Sequence, residues 1–260
     1  MTGYVTEIWR LRHFWLALVR VDLRRCYRHS ILGLGWSLLL PLSMTVVLCT
    51  VFAKLFNVEI RTFAPYLLAG LTAWNFLTSV MTQGCQSFLQ GESYIRQHPA
   101  PLAIYPLRTT LGASIHLLAG LVVVLGLSWC LNGFGNIPVL ISLVPTLALF
   151  FILAWSLAVC MGVLNVLFQD IQHLIQVLLQ VVFYVTPIMY PANVLRERGL
   201  NWVLVFNPIS AYLELIRAPL IHAELPPVSA YAAALLTAAV AAGVACLLLL
   251  RFERKMIFYL

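Results

Sequence analysis

Apolar residues run along this chain in long blocks, and in two of the blocks polar residues recur at helical spacing. Six stretches, at about 34–56, 64–90, 107–131, 138–168, 170–188 and 228–250, are each near or above the ~20 residues a helix needs to cross a bilayer. In the fifth, Gln169, Gln172, His173, Gln176, Gln180 and Tyr184 fall within an arc of roughly 120° at about 100° per residue, with Asp170 outside it. In the second, Thr72, Asn75, Ser79, Thr82, Gln83, Gln86 and Gln90 share one face. Amides and hydroxyls are costly in lipid without partners, so both faces are expected to look toward other helices or a wet path. Interhelical hydrogen bonds, at ~0.6 kcal/mol each, would need only a few such residues. Two long uncharged stripes, rich in donors and acceptors, suit a sugar polymer better than an ion. Phe183 and Tyr184 lie on the fifth stripe and could stack on sugar rings, whereas Tyr66 and Trp74 point off the second stripe and read as belt or packing residues.

The pattern predicts an all-α polytopic membrane protein: a segment 1–33 holding an interfacial amphipathic helix, then a six-span unit over 34–260. Over 8–28, Ile8, Leu11, Trp15, Leu18, Val19 and Cys26 gather on one face and Arg10, Arg20, Arg24 and Arg28 on the other, with Arg12 and Asp22 as exceptions. Gly33 and Gly35 allow a bend into the first span. About seven residues, 57–63, join spans 1 and 2, and almost none join spans 4 and 5 near Phe168–Ile171. Between spans 2 and 3, Gly91–Pro101 is a surface loop or a one- to two-turn docking element. From Pro187 to Pro227 the chain is rich in proline yet apolar, which predicts two half-helices, near 199–206 and 209–222, dipping back into the membrane.

Composition agrees: the chain is 62% hydrophobic and 10% charged, with mean hydropathy +0.94. Basic residues set the orientation. Cytoplasmic termini would put six early arginines, Arg96, Arg108, Arg251, Arg254 and Lys255 inside, and Lys54, Arg61, Arg196, Arg198 and Arg217 outside. The net charge of +7 is then mostly a topology signal and gives no support to nucleic-acid binding. No cleavable N-terminal signal is expected. Six scattered cysteines and six histidines lack metal-ligand spacing, so no metal site is expected.

Catalytic chemistry is not expected either. The two lysines, Lys54 and Lys255, follow no Gly-rich loop, so phosphates of ATP have no cradle here. Asp22 and Asp170 are the only aspartates and form no DxD. Charges inside the spans, the mark of ion-coupled transport, are scarce. The chain reads as moving something without powering the movement.

Tyr27–Trp36 followed by Pro41, Gly70–Phe76, Pro106-Leu107, the run Gln180–Tyr190 with Tyr184-Val185-Thr186-Pro187-Ile188-Met189-Tyr190, and Trp202 with Asn207-Pro208 together resemble the type-2 ABC exporter permeases of the polysaccharide branch. The match is greatest to Wzm-type O-antigen permeases, with KpsM-like capsule and wall teichoic acid permeases as relatives. No single motif is specific; their order and spacing cover nearly the whole chain. The resemblance implies a homodimer in the bacterial inner membrane, with two copies of a separate ATPase subunit that binds ATP and Mg. It also implies an undecaprenyl-pyrophosphate-linked polysaccharide as cargo and a path bounded by spans 1, 2 and 5. On that footing Asn75, Ser79, Gln83, Gln86, Gln172, Gln176, Gln180, Phe183 and Tyr184 are expected to line the path. Glu92, Ser93, Tyr94, Ile95 and Arg96 are expected to contact the ATPase. Arg24, Arg25 and Arg28 are expected to attract the lipid pyrophosphate, since guanidinium pairs with phosphate through two donors. A drug exporter of the same superfamily, or a membrane enzyme acting on lipid-linked sugars, fits the stripes less well.

Overall fold

The computed structural model describes residues 2–28, 30, 32–33, 35–56, 59–97, 100–133, 137–191, 199, 202, 204, 207–253 and 256, and every regular element among them is helical. In chain order these are α1 (Thr2–Arg10), α2 (Arg12–Tyr27), α3 (Gly35–Phe56), α4 (Ile60–Gln97) and α5 (Ile104–Asn132). A 3₁₀ turn (Ile137–Ser142) leads into α6 (Leu143–Leu167), followed by α7 (Ile171–Val185) and α8 (Pro208–Arg217). A π turn (Ala218–His222) then leads to α9 (Val228–Phe252).

Four segments are long and apolar enough to cross a membrane: Gly35–Phe52, Ile104–Leu131, Pro138–Leu167 and Val228–Phe252. Helix α4 has ample length, 38 residues or about 57 Å, but its polar stripe dilutes its apolar content. Helix α7 has 15 residues, about 22 Å against a hydrocarbon core of ~30 Å. It stops at Thr186, whose following proline cannot donate to a helical carbonyl.

Helix α4 is the centre of the bundle and packs on α3, α5, α6, α7 and α8. Its approach to α6 depends on Gly84: a Cβ there would lie 2.8 Å from the Ala158 Cα. Beside that contact the buried Asn165 side chain of α6 donates to the Cys85 carbonyl at 2.9 Å. Phe76 meets Phe150 edge-on at 5.0 Å and Phe150 meets Tyr212 in a tilted contact at 5.1 Å, joining α4, α6 and α8. The Tyr212 hydroxyl then donates to the Ala234 carbonyl of α9 at 2.7 Å.

The amphipathic helix departs from its expected form. Leu11 interrupts it in a turn, and the Trp15 indole donates across the break to the Ile8 carbonyl at 3.1 Å. Ile8, Leu18 and Val19 of the apolar face are buried, whereas Cys26 on the same face is exposed. Asp22, an exception because it falls among the apolar positions, pairs with Arg108 of α5 at 2.8 Å. Arg108 also donates to Gln90 at 3.4 Å and is only 5% exposed, so it is a packed residue rather than a free loop charge. At the same end the Tyr4 hydroxyl donates to Glu253 at 2.9 Å and accepts from the Ala103 N–H at 3.3 Å. Burial pushes the Tyr4 phenol well above its ordinary pKa, with Glu253 adding to the rise, so it stays a donor.

Between spans 2 and 3 the chain is more ordered than a loop: α4 continues unbroken through Gly91 to Gln97. Of the two half-helices expected after span 5, α8 and its π turn occupy the second position. The first, near 199–206, falls largely outside the described residues, as do Arg196, Arg198, Arg254, Lys255 and the side chain of Lys54.

Candidate translocation path

Helices α3, α4 and α7 line an open cavity of ≈ 380 Å³. Leu40, Pro41 and Met44 come from α3, while Trp74, Asn75 and Thr78 come from α4. Helix α7 contributes Gln176, Gln180, Phe183 and Tyr184. The 3.6-residue repeat puts the α7 amides one turn apart on the same side, and Ile175 and Leu179 on the buried side anchor the helix. Gln176 and Gln180 are exposed and make no hydrogen bond to any described residue of the chain. Had the stripe served to glue this bundle together, these amides would be bonded to neighbouring helices. On the next turns the Gln86 side chain donates to the Gln172 side chain, so the two stripes meet there.

Aromatics close the other end of this cavity. Phe183 is half-buried, 5.6 Å from Trp74 and 5.4 Å from Tyr184. Trp74, read from sequence as a packing residue, does pack, and it also forms part of the cavity wall. Tyr184 is 62% exposed.

The α4 stripe does not all face this cavity. Helix α3 lies across it, and a second cavity of ≈ 500 Å³ opens on the far side between α2, α3, α4 and α5. Ser79 and Gln83 belong there and bond to each other at 2.6 Å. Asn75 and Thr78 reach both cavities. Arg24, Arg25 and Arg28 are exposed at the end of α2, next to Cys26 and Tyr27 on the rim of the second cavity.

The residues expected to contact the ATPase lie on the last turns of α4. Glu92 and Arg96 pair at 2.9 Å with i,i+4 spacing, and Ser93 is exposed. Ile95 is buried with Phe88, Leu102, Tyr105 and Met256, so it anchors the segment instead of presenting itself to a partner. Tyr94 is partly exposed and meets Phe14 of α2 edge-on at 6.0 Å.

Sequence reading missed the cluster at the opposite end. Arg217, counted there as an external charge, is 5% exposed. Its Nη1 donates to the Pro187 carbonyl at 2.8 Å and its Nη2 to the Ile188 carbonyl at 3.1 Å. Its guanidinium lies 3.5 Å over the Tyr66 ring. The Tyr66 hydroxyl donates to the Tyr190 carbonyl at 3.1 Å, and Asn207 donates to the Thr186 hydroxyl at 2.8 Å. A Cβ on Gly70 would run into the guanidinium, so glycine is what lets the arginine lie against α4. The signal was available: a lone arginine in the apolar run Leu215-Ile216-Arg217-Ala218 is a candidate for internal work.

A third cavity, ≈ 1060 Å³, lies between α8, the π turn and α9. It mixes Arg217 and His222 with Glu214 and Glu224 and contains none of the stripe residues. No cluster of three His, Cys, Asp or Glu of the metal-binding kind occurs among the described residues.

The chain is similar to several curated proteins over most of its length. It is 27% identical over 235 residues, 87% of each chain, to the O-antigen export system permease protein RfbA of Myxococcus xanthus. It is 24% identical over 201 residues, 76% of each, to the protein of the same name from Klebsiella pneumoniae. The polysialic acid transport protein KpsM of Escherichia coli is 22% identical over 208 residues, covering 77% of this chain and 78% of its own. A family model described as ABC-2 type transporter matches residues 13–221, which take in nearly all of α2 through α8 with the cavity between α3, α4 and α7, and the chain therefore belongs to that family.

Proposed function

We propose that this chain is the membrane subunit of an exporter that carries a lipid-linked polysaccharide of the O-antigen type out of the cytoplasm. In this reading two copies form the permease and α3, α4 and α7 of each line its path. A separate ATPase subunit, present in two copies, binds ATP and Mg and supplies the energy. The six helices α3, α4, α5, α6, α7 and α9 are the spans, with the segment after α7 completing the fifth crossing. Helix α8 and its π turn form a re-entrant element. Both termini are cytoplasmic, the membrane is the bacterial inner membrane, and the carrier is undecaprenyl pyrophosphate.

The observation that carries this reading is the unbonded amide pair Gln176 and Gln180, facing Asn75 across a cavity that ends in Phe183 and Tyr184. Amides that exchange hydrogen bonds, with rings that stack on sugar faces, match a sliding polymer without committing to one sequence of sugars. The names of the relatives agree, and the polysialic acid transporter among them keeps a capsule polymer as the second reading; a teichoic acid polymer would suit the same chemistry. A drug exporter would want a more apolar wall. The test is deletion of the gene followed by extraction of lipid-linked material. Export is supported by full-length polymer retained on the cytoplasmic side and restored to the surface by complementation. Normal surface polymer in the deletion strain overturns it.

A further inference from the structure

The turn that joins α4 to α5 ends in a clamp built from both ends of the chain, and the path just described makes no use of it. Only six residues, 98–103, separate Gln97 from Ile104, and Pro99 and Pro101 carry no N–H. A helix start leaves its first N–H groups without intrahelical partners. A Ser or Asp at the N-cap would satisfy one of them locally. Here the N-cap is Ala103, which makes no side-chain cap, and the first turn of α5 carries no acidic residue.

Residues 99 and 151 positions away in sequence do the capping instead. Glu253, just past α9, accepts from the Leu102 N–H at 3.4 Å, and the Tyr4 hydroxyl of α1 accepts from the Ala103 N–H at 3.3 Å. Tyr4 donates in turn to the same carboxylate oxygen at 2.9 Å. A carboxylate here also meets the positive end of the α5 dipole. From a third side the Trp155 indole of α6 donates to the Ala103 carbonyl at 3.2 Å. Apolar packing follows the same plan: Ile8 is buried with Ala103, Ile104 and Leu107, and Met256 with Ile95, Leu102 and Tyr105.

The tip of α4 leads straight into this turn. Ser93 and Arg96 are exposed on one side of it. On the other side a Cβ on Gly91 would run into the Tyr105 ring, so α4 and α5 meet there without a gap. Close-packed side chains transmit a displacement rather than absorb it. A push on the exposed side of the tip therefore reaches the turn, and through the clamp it reaches α1, α6 and the end of α9. Without the clamp the short connection would give way first.

We propose that Tyr4 and Glu253 are positioning residues for energy coupling: they fix the start of α5 to both ends of the chain, so that movement imposed on the tip of α4 is carried to α1 and α9 instead of being lost in the turn. The proposal rests on the reading that an ATPase subunit docks on that tip, and it adds where the movement goes.

The test uses the complete complex with its ATPase subunit, in lipid nanodiscs for ATP hydrolysis and in cells for surface polymer. The double variant Tyr4→Phe, Glu253→Leu keeps the apolar packing and removes the three hydrogen bonds that Tyr4 and Glu253 make. Surface polymer should fall roughly tenfold while ATP hydrolysis by the assembled complex stays within about twofold of wild type. Glu253→Gln, which keeps a carbonyl oxygen for both donors, should export nearly as wild type. Hydrolysis and export that fall in proportion overturn the proposal, because a clamp that serves only stability predicts that result. Normal export by the assembled double variant overturns it too. If the double variant does not assemble, Tyr4→Phe alone, which leaves Glu253 on Leu102, is read against the same two results, with a severalfold fall in export expected. Docking is tested separately in the wild-type background. A crosslinker at Ser93 that never captures the ATPase subunit in an assembled complex removes docking and clamp together, whereas capture with proportional losses in the variants removes the clamp alone.

Discussion

Replacing Arg217 by Met tests whether the cluster behind the Thr186-Pro187 break is what fixes the end of α7 to α4 and α8. Methionine keeps much of the volume and none of the donors. The Pro187 carbonyl would still accept from the Tyr66 hydroxyl at 3.3 Å, but the Ile188 carbonyl would lose the donor it has at 3.1 Å. An orphaned buried acceptor costs about 1–3 kcal/mol, and loss of the cation over the Tyr66 ring adds about 0.5–2 kcal/mol. Relief from burying a guanidinium that has no carboxylate within ion-pair distance among the described residues works in the opposite direction. The expected net loss is therefore modest, about 1–3 kcal/mol. The sharper quantity is the coupling to Tyr66, because Arg217 and Tyr66 share the ring contact and the Pro187 carbonyl. A double-mutant cycle of Arg217→Met and Tyr66→Leu, read by denaturant unfolding in mixed micelles, should give a coupling of about 0.5–3 kcal/mol. Tyr66→Phe, which keeps the ring, should cost less than Tyr66→Leu. Strict additivity of the pair, or equal costs for Phe and Leu, would refute the latch.

Four further outcomes are expected. Asp22→Asn leaves Arg108 buried without its carboxylate, at a cost of roughly 1–3 kcal/mol once the exposure of Asp22 is allowed for. Arg108→Leu in the same chain should recover part of the lost thermal stability in detergent. A photo-crosslinker at Ser93, exposed on the last turns of α4, should capture the ATPase subunit, and an assembled complex that is never captured would rule out docking there. Replacing Arg24, Arg25 and Arg28 together by Lys keeps the charge but loses the paired donors. Export should fall; unchanged export would leave these residues only an anchoring role.

Much of the architecture could be read from the sequence because lipid imposes length and apolarity on each span. The tight connections after α3 and α6, and the meeting of Gln86 with Gln172, follow from helical periodicity plus a known direction of travel. What escaped was tertiary. The lone Arg217 in its apolar run stood out locally, but that it bonds two carbonyls depends on the position of the Pro187 break relative to α8, which no local pattern gives. Asp22 looked like a blemish on the apolar face because its partner, Arg108, is 86 residues away and was counted only as a cytoplasmic-side charge. The α4 stripe read as one surface because periodicity gives direction around a helix axis but not which neighbour crosses it. Helix α3 divides that surface, sending Ser79 and Gln83 to one cavity and leaving Asn75 at both.

The central claim, that α7 presents its amides to a moving polymer, is tested most directly by Gln176→Leu with Gln180→Leu in one chain. Neither side chain bonds to a described residue of its own chain, and leucine is favoured in lipid, so the fold should not weaken. The measurement is recovery of the assembled complex in detergent alongside polymer at the cell surface. The account predicts full recovery of the complex with sharply reduced surface polymer, because the sugar hydroxyls would meet an apolar wall. Intact complex with normal export contradicts it, and a dissociated complex would assign the amides to contacts between protomers instead.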